Sequence, residues 1–370
     1  MVNTAKILLV QLYSNGDCLY ATPVARQIKQ DYPGCHLTWA IVPFCRNIIA
    51  HNPYVDDVME VQITKNDAPA FKRFKKQIEL QQKQGKFDHV FITHNSGNNQ
   101  EYYDGCIRSS ILRAYKRPVT VPVTPVLQLT KEEIQASEAF ANEHQLGSYK
   151  HVVLFEFAPQ SGQLNITKEI SVNIAEAIIQ KPGTAVILSS ANKVAHDNPA
   201  IIDGSSLTLR ETAALTHHCT MLLGCSSGIT WITTTNAAKL LPMVQVLNAN
   251  VPWVNPVSRD FERFQLPVEK VIELLDFDHV KIVDCVMSAL DDFGLARDRY
   301  NQAIPLHFKA TRHIVYQLLC SLEFGAIMRH VKVNREVYGN RFDFYKELLL
   351  GILTFPVTFL KNTVRKHLFR

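Results

Sequence analysis

The chain has 370 residues, of which 46% are hydrophobic and 20% are charged. This length is enough for two domains, and the composition excludes a disordered or fibrous protein. The eight cysteines form no CxxC pair and lie at no zinc-site spacing, so we expect reduced, buried thiols. Because the N-terminus leads directly into the apolar run of a predicted core strand at Ile7, we expect a cytoplasmic protein that is not exported.

The net charge of +5 is concentrated at the end of the chain. Residues 329–370 contain nine Lys or Arg and three acidic residues, so the remainder is nearly neutral. We therefore expect no nucleic-acid partner, and the basic segment needs a separate explanation.

Residues 6–26 have the pattern of a strand, a turn and a helix. Five of the six residues Ile7–Leu12 are apolar, which is typical of a buried strand in a parallel sheet. A polar turn containing Gly16 and Asp17 follows, and apolar residues then recur at helical spacing. Ligands bind beyond the carboxyl ends of such strands, so Asp17 is a candidate functional residue. Alternatively, Asp17 caps the helix.

The rest of the first half continues the alternation of strands and helices. Strands are predicted at 37–42, 57–61 and 88–92, and helices at 45–51, 68–84 and 102–116. His94 and Asn95 follow the last of these strands and are candidates for contacting a ligand. His94 could equally be an ordinary turn residue.

The proline-rich segment 117–129 predicts an extended connection between two domains. After it, helices are predicted from residue 130 and at 170–180, 208–217 and 228–238, with strands at 151–157, 184–189, 220–224 and 243–247. The turn Gly224–Gly228 lies between a strand and a helix. Its backbone N–H groups, with the hydroxyls of Ser226 and Ser227, suit a diphosphate, although an ordinary N-cap turn has the same pattern.

Three segments, in the same order, resemble the family 9 glycosyltransferases, which include the lipopolysaccharide heptosyltransferases. The matching residues are Gly16-Asp17 and Thr22-Pro23, then Asn52, Pro53, Val55 and Asp56, and finally the region 207–246 with its Ser-Ser-Gly turn. The resemblance covers about the first two thirds of the chain. It implies an α/β fold of two Rossmann-like domains, the GT-B architecture, with the acceptor on the first domain and a nucleotide sugar on the second.

The resemblance also implies roles for individual residues. Asp17 would be the general base that takes the proton of the acceptor hydroxyl, in an inverting transfer. Acceptor-binding candidates are Asn15, Gly16, His94 and Asn95, and donor-binding candidates are Thr167, Lys168, Ser226, Ser227, Gly228 and Thr230. The donor half has no Asp-x-Asp motif at a strand end, so we expect no metal and no other cofactor.

The chain departs from the family pattern at two positions. Ser226 and Trp231 stand where family members commonly have Asp and His. Because these groups would contact sugar hydroxyls, a nucleotide sugar other than a heptose donor is a credible substrate. A nucleotide-sugar epimerase and a non-catalytic binding module are the alternatives. A dehydrogenase is disfavoured, because no GxGxxG follows any strand.

We predict an N-terminal domain at 1–128, a C-terminal domain at 129–300 and a helical, basic extension at 301–370. The apolar run 348–360 is shorter than the ~20 residues that span a bilayer, and a basic segment follows it. This pattern favours a helix lying on the anionic inner face of the cytoplasmic membrane, near a glycan or lipid-linked acceptor. The alternative is a helix packed on the core or on a dimer partner.

Overall fold

A computed structural model of the protein describes residues 4–64, 67–95, 99–158, 166–248, 256–275, 277–302 and 306–368. Its main features are two separate parallel β-sheets. The first sheet has the order β3-β2-β1-β4, with β1 (Lys6–Val10), β2 (His36–Ile41), β3 (Asp57–Glu60) and β4 (His89–Ile92). The helices of this half are α1 (Asn15–Asp31), α2 (Ala68–Lys83) and α3 (Ile107–Ala114), with a 3-10 helix at Pro43–Ile49 and a shorter one at Gln100–Tyr102.

The second sheet has six parallel strands in the order β10-β9-β8-β5-β6-β7. They are β5 (His151–Glu156), β6 (Thr184–Ser189), β7 (Ile201–Asp203), β8 (Met221–Gly224), β9 (Met243–Val246) and β10 (Val271–Leu274). Its helices are α4 (Lys131–Glu143), α5 (Lys168–Ile178), α6 (Leu209–Leu215), α7 (Gly228–Ile232), α8 (Val257–Arg263), α9 (His279–Asp291) and α10 (Phe293–Tyr300). The central strands are buried on both faces, which explains why the sequence shows them as apolar runs.

The described residues 306–368 contain three helices: α11 (Lys309–Cys320), α12 (Phe324–Tyr338) and α13 (Phe342–Leu368). Ala310, Ile314 and Ala326 of α11 and α12 form a small core with Tyr103 of the first half. The predicted helical extension is therefore confirmed, and it packs on the first half of the chain. Within the described ranges, no helix combines the length and the apolar character needed to cross a bilayer.

The predicted fold class of two parallel αβ units is confirmed, and most of the predicted elements are present. The first sheet lies within 1–128 and the second within 129–300, while the domain boundaries themselves stay predictions. The sequence did not indicate β7, β10 or the helices α8 to α10. The predicted helix 45–51 is the 3-10 helix Pro43–Ile49.

The helix predicted at 228–238 ends much earlier, at Ile232. The hydroxyls of Thr233, Thr234 and Thr235 donate to backbone carbonyls three residues before them. Such local side-chain bonds compete with continued helix formation, so the consecutive threonines account for the early end.

The two halves are joined through the buried guanidinium of Arg210 on α6. Arg210 donates to both carboxylate oxygens of Glu133 on α4, at 2.5 and 2.7 Å. It also donates to the carbonyls of Asn47 and Ala50 in the first half and of Gln128 in the connecting segment. All five N–H donors are therefore used, and one side chain connects both halves and the linker.

We predict that Arg210→Ala lowers the free energy of unfolding by about 3 kcal/mol or more, because Glu133 loses its buried partner. The control is Arg46→Ala, which removes an exposed ion pair with Glu60 from the first half. It should cost less than about 1 kcal/mol. Urea unfolding of both variants measures the difference, and equal losses would contradict the role given to Arg210.

Candidate functional site

A cavity of about 290 Å³ lies between the turn that follows β1 and the turn that follows β8. The order of the strands reverses between β1 and β4 in the first sheet and between β8 and β5 in the second. Ligands of parallel sheets bind at such reversals, beyond the carboxyl ends of the strands. The lining residues are Ser14, Gly16, Asp17, Tyr20, Gly105, Cys106, Ile107, Arg108, Ser226, Ser227, Gly228, Trp231, Pro256, Arg259, Asp260, Arg263 and Tyr338.

Asp17 lies in the first turn of α1, with its side chain at the cavity. The alternative interpretation, in which Asp17 caps the helix, is wrong, because the N-cap residue of α1 is Ser14. A carboxylate is favoured in the first turn by the dipole of this 17-residue helix. Asp17 is thus placed where an anionic side chain is compatible with the helix and lines the cavity.

Trp231 forms part of the wall beside Asp17. Its ring packs edge-on against Tyr20, with the ring centroids 5.5 Å apart. A Cβ atom at Gly16 would lie 3.9 Å from the Trp231 ring, so the indole also contacts the turn after β1. Trp231 therefore joins the two sides of the cavity.

Gln245, a fully buried residue of β9, holds the turn after β8 in place through hydrogen bonds. Its Oε1 atom accepts from the Ser226 N–H at 2.6 Å and from the Thr230 hydroxyl at 3.1 Å. Ser226 has a φ of 56°, in the left-handed region that non-glycine residues rarely adopt. The buried amide thus stabilises an unfavourable backbone conformation at the cavity edge. Thr230 is bonded inside the domain and does not line the cavity.

Glu156 is a second buried polar group beneath this turn. It ends β5, and its carboxylate accepts a hydrogen bond from the Ser227 hydroxyl. Burial raises the pKa of Glu156 to about 7, although the bonds from Ser227 and the Ile229 backbone oppose this shift. A Cβ atom at Gly224 would lie 3.1 Å from the Thr230 hydroxyl and 3.6 Å from Glu156 Oε2. This crowding explains the glycine there.

Three arginines, Arg108, Arg259 and Arg263, line the cavity and supply positive charge. Arg263 donates to Asp104 at 2.8 Å, to Ser109 at 2.9 Å and to the Tyr338 hydroxyl at 3.2 Å. Arg108 is buried and stacks on Phe264, 3.9 Å from the ring centroid.

Arg259 is half-buried and lies four residues before Arg263 on α8. It makes no hydrogen bond or ion pair within the described part of the chain, so its guanidinium is available to an anionic ligand. Asp260 also lines the cavity, where burial raises the pKa of its carboxyl. Sequence reasoning missed these residues. The spacing of Arg259 and Arg263 would place both on one helix face, but α8 itself was not predicted.

Several predicted residues lie away from the cavity lining. The Thr167 hydroxyl caps α5, and Lys168 Nζ donates to the Lys193 carbonyl at 3.3 Å on an exposed surface. The adjoining residues 159–165 lie outside the described residues. The roles predicted for Thr167 and Lys168 therefore stay predictions.

The acceptor candidates after β4 are also outside the lining. His94 is buried against Tyr13 and Phe71, and burial lowers its pKa to about 4. Asn95 accepts a hydrogen bond from Ser110 at 3.2 Å. Asn15 begins α1 next to the cavity but does not line it. Of the four acceptor candidates, the structure places Gly16 in the cavity with Asp17.

Among the residues that the structure describes, no three His, Cys, Asp or Glu side chains are grouped to hold a metal ion. The predicted independence of metal remains an expectation, because the chemistry itself is not tested by this arrangement.

No protein-family model matches the chain, and no curated protein matches it by sequence. Solved structures, in contrast, are similar to it in fold. A family 9 glycosyltransferase from Veillonella parvula DSM 2008 is similar, with a TM-score of 0.57 and 14% identity, over 80% of this chain and 99% of that one. E. coli ADP-heptose lipopolysaccharide heptosyltransferase II gives a TM-score of 0.52 and 15% identity, over 79% and 99% of the two chains.

A third similar structure is a protein from Listeria monocytogenes described as a candidate UDP-N-acetylglucosamine 2-epimerase. It gives a TM-score of 0.50 and 10% identity, over 87% of this chain and 98% of that one. At these identities the likeness establishes the fold alone: the chain has the GT-B architecture that the sequence predicted.

We predict that Glu156→Gln removes a pH-dependent loss of stability. Because the folded pKa lies near 7 and the ordinary value is 4.5, the protonated carboxyl favours the folded state. The stabilisation of the folded state by protonated Glu156 is fully present below pH 4.5 and is lost as the pH rises through about 7. The free energy of unfolding falls by at most about 3 kcal/mol over this range. The variant should therefore gain stability relative to the wild type between these pH values.

The matched control is Glu138→Gln, which replaces an exposed glutamate of α4. Thermal unfolding at several pH values compares the two variants with the wild type. The Glu156 account is wrong if the difference between Glu156→Gln and the wild type is the same across the range.

Proposed function

We propose that the protein is a glycosyltransferase that moves a sugar from a nucleotide sugar to a glycan acceptor, with the reaction in this cavity. The observation that carries the proposal is that Asp17, the Ser226–Gly228 turn and Arg259 all line one cavity. A carboxylate, a turn of small residues and a guanidinium without a hydrogen-bond or ion-pair partner among the described residues suit such a transfer.

Asp17 acts as the general base. A hydroxyl of the acceptor attacks the anomeric carbon of the donor, and the carboxylate takes its proton while the bond to the diphosphate breaks. Asp17 lies in the first turn of α1, the helix that follows β1, so the acceptor lies on the side of the first sheet. One carboxylate suffices when the nucleophile approaches from the face opposite the leaving group, so we propose inversion of configuration.

The leaving diphosphate is stabilised mainly by arginine charge. Helix α7 has only five residues, so its dipole contributes little at the Ser226–Gly228 turn. Within the described residues the guanidinium of Arg259 makes no hydrogen bond, so its N–H groups can donate to phosphate oxygens. Arg263 and Arg108 line the same cavity and add positive charge. Guanidinium groups in a partly buried site can neutralise the developing charge in place of a divalent cation. On this basis we propose metal-independent transfer.

The donor and acceptor are proposed only by class. The name of the similar E. coli structure, an ADP-heptose lipopolysaccharide heptosyltransferase, supports a sugar nucleotide as donor and a lipopolysaccharide-type glycan as acceptor. Ser226 and Trp231 change the side chains that would contact the sugar, so we propose a donor that is bound against an indole. A thermal-shift screen of ADP-, GDP-, UDP- and CMP-linked sugars identifies the nucleotide, since a bound ligand raises the apparent stability.

We predict that Asp17→Asn lowers the rate of nucleoside diphosphate release by about 100-fold or more, because the amide cannot accept the proton. Binding of the stabilising sugar nucleotide, measured by thermal shift, should change little. The matched control, Asp298→Asn, removes an exposed carboxylate of α10 and should leave both quantities unchanged. Release at the wild-type rate by Asp17→Asn would refute the assignment of the base.

We predict that Arg259→Gln weakens binding of the same sugar nucleotide by about tenfold or more, through loss of a charged hydrogen bond to phosphate. Arg299→Gln, which replaces an exposed arginine of α10, is the control and should bind normally. Isothermal titration calorimetry measures both. An unchanged dissociation constant for Arg259→Gln would remove this residue from the donor site.

The alternative functions give different products. The Listeria monocytogenes protein supports a nucleotide-sugar epimerase as the second candidate, since it has the same fold. An epimerase converts its sugar nucleotide without any acceptor, so chromatography after incubation with the donor alone distinguishes the two. A folded protein that binds none of the four nucleotide classes would instead favour a non-catalytic module.

A further inference from the structure

Helix α13 has apolar side chains on two opposite faces. One face packs on α11, with Phe344 and Gly351 buried. The other face carries Phe342, Leu349, Leu353 and Leu360, which are between 55% and 79% exposed. The spacings of seven, four and seven residues place these four side chains in one stripe along the helix. We call this set the outer stripe.

The face of α13 that packs on α11 makes close contacts with particular residues of that helix. A Cβ atom at Gly351 would lie 3.1 Å from Val315 Cβ, so the glycine allows the two helices to approach. Arg312 pairs with Glu347, and Tyr316 contacts Phe355 with their ring centroids 5.8 Å apart. These contacts fix the rotation of α13 about its axis and direct the outer stripe away from α11.

The same contacts show that the two helices run parallel, because residue numbers rise together along both. The second half of α13 therefore lies beside the end of α11. There the chain continues into Leu322 and Phe324, which are 74% and 60% exposed.

Beyond the first turns of α13, which carry Asp343 and Glu347, the charges along the helix are of one sign. From Leu348 to Arg370 the sequence has no acidic residue, and it has four basic ones, Lys361, Arg365, Lys366 and Arg370. Lys346 is exposed on the same side of the helix as the stripe. An apolar stripe that continues into a basic segment matches the arrangement of an anionic bilayer, with hydrocarbon below phosphate groups.

We infer that the outer stripe is a lipid-binding surface, which seats α13 in the plane of an anionic membrane. Leu349, Leu353 and Leu360 enter the region between head groups and acyl chains, and the exposed Lys346 and Lys361 contact the phosphates. Membrane binding by this stripe is independent of the chemistry in the cavity. It gives the cavity access to acceptors that are anchored in lipid.

The test is sedimentation of the full chain with vesicles of phosphatidylglycerol and phosphatidylcholine, or of phosphatidylcholine alone. The wild type should bind the anionic vesicles, more weakly in high salt. The variant Leu349→Gln/Leu353→Gln/Leu360→Gln keeps good helix formers and the net charge. Its partition should fall by about tenfold or more, since three side chains lose their apolar burial.

The matched control is Leu80→Gln/Ile134→Gln/Leu295→Gln, which changes three exposed apolar residues of other helices. It should bind vesicles as the wild type does. Circular dichroism and the melting temperature verify that each variant is folded. Should the stripe variant not fold, Lys361→Gln/Arg365→Gln/Lys366→Gln replaces it and must weaken binding to anionic vesicles.

Three results would overturn the inference. The first is a wild-type protein that does not bind anionic vesicles, and the second is a folded stripe variant that binds them equally well. The third is a lipid-free dimer, seen by sedimentation velocity, that is lost in the stripe variant and kept in the control. That dimer would assign the stripe to a second copy of the chain.

Discussion

The buried guanidinium of Arg210 is the interaction on which the relative placement of the two sheets depends. Its five donors reach Glu133, two carbonyls of the first half and one of the linker. Because buried donors without partners are costly, these segments cannot separate without a large loss of stability. The linker is further fixed by Val126, whose N–H donates to Thr22 on α1 at 2.7 Å. The turns after β1 and β8 consequently face each other across one cavity.

A second constraint lies beneath the Ser226–Gly228 turn, where the core of the second sheet contains Glu156 and Gln245. Polar side chains in central strands cost free energy unless they are hydrogen-bonded, and both of these bond the turn above them. Their effect is to hold Ser226 in a left-handed conformation and to present the backbone of Ser227 at the cavity. Burial of two polar side chains and the left-handed conformation of Ser226 both lower the stability of the fold. A turn that binds a ligand accounts for this arrangement.

The sequence predicted those parts of the structure that depend on local patterns. Strand β6 was predicted with its observed bounds, because a strand buried on both faces has an apolar run, here Ala185–Leu188, at its centre. Asp17 and the Ser226–Gly228 turn could be identified because they follow strands, where parallel sheets place their ligands. Arg108 and Arg259 could not, because their approach to the cavity depends on how α3 and α8 pack. Strand β10 was missed because Glu273 interrupts its apolar pattern.

The most direct test of the account is a crystal structure of the protein with the sugar nucleotide that stabilises it most. We expect the diphosphate between the backbone of Ser227 and the guanidinium of Arg259, with the sugar beside Trp231 and its anomeric carbon facing Asp17. A ligand bound elsewhere, or one whose sugar points away from Asp17, would contradict the proposal that this cavity is the site of glycosyl transfer.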